Sequence, residues 1–303
     1  MRHLLLLFSF LTLAAWGQTR QVAIKFDDLP RGGDSGRRDL ESVRRMTVKL
    51  LDELHGVPLI GFVNAGHAQE MGDAGLQTIL RIWLEHGAEL GNHTFTHPDL
   101  NNVSLEDYEA NIVRGEPSLI EALGHRPLYF RHPFLHAGPD AAKKHGLEKF
   151  LAERGYRVAP VTFDDSDWMF AFVYLNAMKD DPALAARVRS AYVPYMESVI
   201  AFFEMRSMEV VGREFPQVLL LHANQLNADT MPDLLAMMRK RGYRFVSLEE
   251  ALRDDAYRLP EEYVGTGGFS WIHRWSKTMG MAPKGEPNEP EWIAEEYRRR
   301  QKQ

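Results

Sequence analysis

The chain has 303 residues, no cysteine and a formal charge of −6. That charge excludes a large basic surface for gripping phosphate backbones, so no nucleic-acid partner is expected. Without cysteine there are no disulfides, and stability has to come from core burial, which a chain of roughly 300 residues can supply by burying about three quarters of its unfolded surface.

The first stretch reads as an export signal: Arg2 gives a positive start, Leu4 to Ala15 an apolar core, and Ala15-Trp16-Gly17 a small-residue cleavage site. The apolar core is short for a bilayer-spanning helix. The expectation is a signal peptide over 1–17, a main domain over 18–282, a charged tail over 283–303, and a secreted or periplasmic protein without stable membrane insertion after cleavage. Strands are then expected at 22–26, 59–63, 88–91, 128–131, 157–162, 218–221 and 244–247. Between them lie helical patterns at 38–54, 75–85, 105–114, 117–123, 139–153, 182–209 and 231–240. Ser104 before Leu105-Glu106-Asp107 reads as a helix N-cap, and Gly124 as a left-handed stop. A short surface helix is expected from Glu291. Alternating short apolar runs and amphipathic segments predict an α/β fold around a largely parallel sheet.

The reactive residues fall at the carboxyl ends of these strands. Asp27-Asp28 follow the first, His93 and His97 the third, Arg131 ends the fourth, Asp164 to Trp168 follow the fifth, and His222 the sixth. In α/β barrels that rim is where residues scattered in sequence converge. Two histidines four residues apart in His93-Thr94-Phe95-Thr96-His97 can direct two imidazoles at one ion, and Asp28 offers an anionic third ligand. Such a site with an open position suits metal-assisted hydrolysis. Taken singly, Asp27-Asp28 before Leu29-Pro30 would be an Asx-type turn and the two histidines incidental loop residues; taken together at strand ends they favour a metal site.

The ordered set Phe26-Asp27-Asp28, His93 to His97, Arg131 to Phe134, Asp164 to Trp168 and Leu219 to His222 resembles the motifs of the polysaccharide deacetylases, the NodB-homology group of carbohydrate esterases. The resemblance covers about Val22 to Leu252 and implies a distorted (β/α) barrel of about seven parallel strands. It also implies Asp28, His93 and His97 as ligands of a divalent metal, with zinc first and cobalt or nickel as alternatives, and Asp27 as the general base toward the attacking water. Arg131 would hold Asp27 through a charge-assisted hydrogen bond. His222 would be the general acid, oriented by Asp167. Trp168 would wall the groove, Leu220 would line a pocket for the acetyl methyl, and the Phe134 N–H would face the developing oxyanion. The substrate implied is an acetylated oligo- or polysaccharide, N- or O-linked. Departures from the pattern sit beside the chemistry: Lys25 where Thr is common, and His132 where Pro is common.

Other readings carry different expectations. A related metal-dependent hydrolase of a small amide, ureide or imide would keep the metal site and lose the export signal. A non-catalytic carbohydrate-binding relative would not need Asp27, Arg131, Asp167 and His222 together. His132 and His136 form a rival pair, but Pro133 between them disfavours a regular helix; His132 is expected in the groove and His136 as a capping or surface residue. For Trp271, His273 and Trp275, core packing is the default, against an extended chain presenting two indoles to a sugar. The 169–215 segment is long for a strand-to-strand connection, and its aromatics could shape a cleft.

Overall fold

The computed structural model describes residues 20–302, so the signal-peptide reading of Met1 to Gly17 lies outside the described residues. Seven strands and ten α-helices run in the order β1 (Arg20–Leu29), α1 (Leu40–Asp52), β2 (Leu59–Val63), α2 (Gly72–Glu85), β3 (Glu89–Asn92), α3 (Leu105–Leu123), β4 (Tyr129–Phe130), α4 (Ala141–Glu153), β5 (Arg157–Val158), α5 (Asp167–Asp180), α6 (Pro182–Val210), β6 (Gln217–His222), α7 (Gln225–Lys240), β7 (Tyr243–Phe245), α8 (Leu248–Ala251), α9 (Trp271–Thr278) and α10 (Glu291–Arg300). Every strand pairing is parallel, in the order β5-β4-β3-β2-β1-β6, with β7 paired to the start of β1.

The sheet curls toward closure. After β5 the chain crosses to the free edge of β6, where Thr162 and Phe163 donate backbone hydrogen bonds to Val218 and Leu220 donates back to Phe163. The result is the distorted barrel expected from the sequence. Its strands are apolar on both faces because helices cover the outside. Along β1, Val22, Ile24 and Phe26 pack outward in the main core, whereas Ala23 belongs to an inner cluster with Ile60, Phe62, Tyr129 and Val218. Period two places Lys25 and Asp27 on that inner side as well. Lys25 is fully buried, its Nζ donating to the Pro160 carbonyl at 3.0 Å. Burial, with the Arg131 charge adding to it, pushes the Lys25 amine well below its ordinary range.

Several boundaries differ from the sequence reading for identifiable reasons. Pro117 was expected to separate two helices, but α3 runs through it, capped by Ser104 and ended by Gly124 at φ 76°. The long segment after Trp168 holds two helices rather than one, and α5 lacks amphipathic contrast because apolar residues also lie off its buried face, Met178 among them. Trp271 to Thr278 form α9 instead of an extended run, and Trp275 packs in the core against Phe215 and Tyr257, which removes the paired-indole platform. The helix expected from Glu291 is present as α10, but it is docked on α5. Ile293 is buried and Arg300, also buried, pairs with Asp180 at 2.9 Å. No helix of the described residues is long and apolar enough to cross a membrane.

Candidate metal centre and active site

The carboxyl ends of β1, β3, β4 and β6 bring the predicted residues together. Asp28 Oδ1 lies 3.5 Å from Nε2 of both His93 and His97, and one ligand atom from each of the three residues falls within 4.8 Å of the others. His93 turns its Nδ1 to the Arg131 carbonyl at 2.9 Å, which leaves Nε2 facing Asp28. Burial pushes the His93 imidazole down to about 4, so it is a neutral nitrogen donor. Asp28 goes the other way: burial opposes ionisation, but His97, His222 and His93 hold its carboxyl at about 2. Its Oδ1 is buried without a hydrogen-bond partner. Two imidazoles and an orphaned carboxylate oxygen facing one point fit a divalent cation.

The loop carrying the histidines is pinned by side chains. Asn92 Oδ1 accepts from Thr94 N at 2.7 Å, Thr94 Oγ1 from His97 N at 3.0 Å, and Asn111 Oδ1 from Phe95 N and Thr96 N at 2.8 and 2.9 Å. Asn64 Nδ2 donates to the His93 and Thr94 carbonyls. Asp28, Thr94, His97, Phe134 and Leu135 have φ between 55° and 70°, and these are the only non-glycine positive-φ residues among those described. Left-handed backbone in branched or bulky residues is costly and persists only where the surroundings enforce it.

Beside the trio, Asp27 is 3% exposed, with Oδ2 at 3.8 Å from His93 Nε2 and Oδ1 unpartnered. The expected Arg131 hydrogen bond is not formed: Arg131 Nε stands 3.6 Å from Asp27 Oδ2, and none of the guanidinium nitrogens has a hydrogen-bond partner. Arg131 is instead fully buried over the Phe62 ring, 5.0 Å from its centroid, and acts on Asp27 as a nearby charge.

His222 sits opposite, its Nε2 4.0 Å from Asp28 Oδ2. Asp167 Oδ1 accepts from His222 Nδ1 at 2.6 Å, and Oδ2 accepts from His222 N at 2.8 Å and from Asn227 Nδ2 at 2.7 Å. Burial alone would lower the imidazole, but the Asp167 carboxylate, with Asp28 and Asp27 behind it, raises it to about 10. Asn227 is held in turn by the Tyr192 hydroxyl at 2.7 Å. Asn227 escaped the sequence reading, and Tyr192 entered it only among the aromatics of 169–215 that could shape a cleft; the one sequence signal for Asn227 was the pair of asparagines, Asn224 and Asn227, shortly after His222.

Asp27, Asp28, His93, His97 and His222 line a cavity of about 770 Å³ together with Phe134, Trp168 and Leu220. Leu220 clusters with Leu135 and Val161 on its apolar side. The Phe134 side chain is 52% exposed and meets His97 edge-on at 4.4 Å. Its N–H has no backbone partner, whereas those of Leu135 and His136 close onto His132 and Pro133. Trp168 stands edge-to-face with Tyr297 at 5.2 Å. Gly33, at φ 74°, lets the backbone pass His222 and Trp168 where a Cβ would come within 3.0 and 3.2 Å of them. His132 lines the cavity but is almost fully buried and held well below its ordinary pKa, first by burial and then by Arg274 and Arg131. His136, expected as a capping or surface residue, binds Asp99 at 2.7 Å and also reaches the cavity. Asp165 Oδ1 accepts from Asp167 N at 2.8 Å in the turn that leads into α5.

Comparison with known proteins bears on the family and the fold. The family model described as polysaccharide deacetylase matches residues 17–150. That match takes in β1 and β3 and the residues Asp27, Asp28, His93 and His97. Among its relatives, a peptidoglycan-N-acetylglucosamine deacetylase of Bacillus cereus is 24% identical over 236 residues, covering 75% of this chain and 66% of the relative. A chitin deacetylase of Colletotrichum lindemuthianum is 25% identical over 210 residues, covering 69% of this chain and 75% of the relative. The chain therefore spans just under two thirds of the Bacillus protein's length. Among solved structures, a carbohydrate esterase family 4 pseudoenzyme from Bacillus anthracis matches with a TM-score of 0.50 at 12% identity, covering 78% of this chain and 66% of that one, which supports the fold.

Proposed function

We propose that this chain is a metal-dependent deacetylase that hydrolyses acetyl groups on a carbohydrate. The observation that carries the reading is the meeting of Asp28, His93 and His97 at one point with an unligated carboxylate, Asp27, on one side and the His222–Asp167 pair on the other. A divalent cation held by Asp28, His93 and His97, zinc first by ligand type, would polarise the acyl carbonyl and acidify the attacking water.

The chain's own residues supply the rest. Asp27, free of the trio yet beside it, takes the proton from the attacking water, and the Arg131 charge holds its carboxylate in place. The Phe134 N–H, unpaired with backbone, meets the oxygen on which charge develops. His222 gives its proton to the leaving nitrogen or oxygen as the tetrahedral carbon collapses, with Asp167 fixing the imidazole so that Nε2 faces the site. Leu220, Leu135 and Val161 offer an apolar seat for the methyl group. A set that contains both a base and an acid in reach of one point supports catalysis over sugar binding alone.

The relatives' names point to N-acetylated amino-sugar polymers, and the export signal expected over 1–17 would agree with an extracellular glycan. The test is acetate release from chitooligosaccharides, peptidoglycan fragments and acetylated xylan, with zinc, cobalt or nickel added and with chelator. No metal-dependent release from any acylated glycan would refute the reading. Release from a cyclic imide or ureide in place of glycans would give the site to the small-amide alternative.

A further inference from the structure

The last forty residues do not leave the site alone. The loop before α9 presses on the rim: a Cβ on Gly268 would lie 1.9 Å from the Phe134 carbonyl oxygen, so the two backbones touch there. The strap after α9 returns to the opposite rim. Glu286 lines the cavity, anchored by His273 Nε2 at 2.9 Å, and lies close enough to Asp164 that, after burial, it is the main cause raising that carboxyl to about 7. Farther on, Tyr297 of α10 lines the cavity and packs edge-on against Trp168 and Phe172 at 5.2 and 5.0 Å. One continuous stretch thus runs from the Phe134 side of the mouth to the Trp168 side.

That stretch is built to stay. Ile293 is buried, Arg187 lies 3.8 Å over the Trp292 ring, and Arg300 pairs with Asp180. A packed wall on one flank gives the site the character of a pocket of about 770 Å³, within the range of sites that enclose small ligands, rather than of a furrow open along both flanks. Neither lysine nor arginine lines it, so it offers no cationic fork for a carboxylated or phosphorylated sugar.

Resting on the deacetylase reading above, we propose that this C-terminal wall makes the enzyme act at the end of a neutral or amino-sugar chain, with Glu286 and Tyr297 as specificity-determining residues that hold the terminal sugar. Glu286 would accept hydrogen bonds from its hydroxyls, and the Tyr297–Trp168 pair would meet a ring face.

The experiment uses the full chain, metal-loaded, with N-acetylated chitooligosaccharides of two to six sugars, and maps the deacetylated position in each product. The expected result is removal at one chain end, with kcat/KM nearly level along the series. Tyr297→Ala and Glu286→Gln should raise KM about tenfold on the dimer with kcat changed less than twofold, while Tyr297→Phe, which keeps the ring packing, restores KM. Calorimetric binding of the dimer to the metal-free protein should weaken in the same order. Deacetylation at internal sugars with kcat/KM climbing at each added unit would overturn the proposal, as would unchanged KM in both variants. Either of those outcomes leaves acetate release intact and so spares the deacetylase reading; loss of both readings would show as no acetate from any glycan.

Discussion

Replacing Asp167 with Asn is the most demanding test of the acid side of the site. Asp167 is fully buried and accepts three hydrogen bonds, two from His222 and one from Asn227. The amide keeps the shape but brings a donor against donors, so at least one buried N–H loses its acceptor, at about 1–3 kcal/mol. The larger part is electrostatic. His222 is raised from its ordinary value to about 10, chiefly by Asp167 working against burial, and a shift of that size corresponds to cation stabilisation on the order of 5 kcal/mol as an upper bound. The sign follows from linkage. A histidine raised in the folded state contributes stability that is complete below about pH 6.5, its unfolded value, and is lost as pH rises through about 10. Urea denaturation of the metal-free Asp167→Asn variant should therefore show a deficit of roughly 3–5 kcal/mol at pH 6, the size expected on breaking a buried pair, shrinking to the hydrogen-bond remainder of about 1–3 kcal/mol near pH 10. A deficit equal at both pH values, or below about 1 kcal/mol throughout, would refute the pairing.

Asp28→Ala should abolish stoichiometric metal on elemental analysis, because His93 and His97 alone leave two ligands; retention of a full equivalent would move the centre elsewhere. Asp27→Asn should keep the metal and lower kcat by about 10²–10⁴, the usual worth of a positioned base, and full turnover in that variant would remove Asp27 from the role. Adding metal to the chelated protein should raise unfolding stability by about 2.7 kcal/mol at a hundredfold excess over Kd; a thermal midpoint unmoved by zinc, cobalt and nickel would count against the three-ligand site. Leu220→Phe should cost about 1–3 kcal/mol by overpacking and cut kcat/KM for acetyl substrates at least tenfold, with thermal melts and acetate release as readouts.

The sheet was legible because its central strands β1, β2 and β6 contain apolar runs bounded by polar turns, and the candidate site was legible because its motifs fall at strand ends. Strand ends are what a sequence marks well. The helices beyond Trp168 were harder: α5 and α6 expose Met178, Met205 and Met208 and bury Glu204 and Arg206, so the polar-against-apolar stripe that marks a helix in sequence is blurred. Pro117 misled because it sits thirteen residues into a capped helix that tolerates it. Arg131 was assigned the right neighbour and the wrong contact, since charge and proximity can be inferred from a motif but a hydrogen bond depends on tenths of an ångström. Glu286 and Tyr297 were invisible as site residues because a charged, proline-rich segment gives no hint of which surface it returns to.

The distribution of strain explains why the metal side and the wall behave so differently. Five left-handed non-glycine residues, at about 1–3 kcal/mol each, put a load on the order of 10 kcal/mol on one rim, comparable with the whole net stability of a domain. Such a rim holds only if its surroundings leave no alternative, which accounts for the asparagine and threonine bonds that fix the His93 to His97 loop from several sides and for the deep burial of β1 beneath Asp27 and Asp28. The wall bears no such load. Tyr297 and Glu286 rest on ordinary packing and one contact to His273 Nε2, so substitutions there can reshape what the pocket admits without disturbing the strained rim that positions the chemistry.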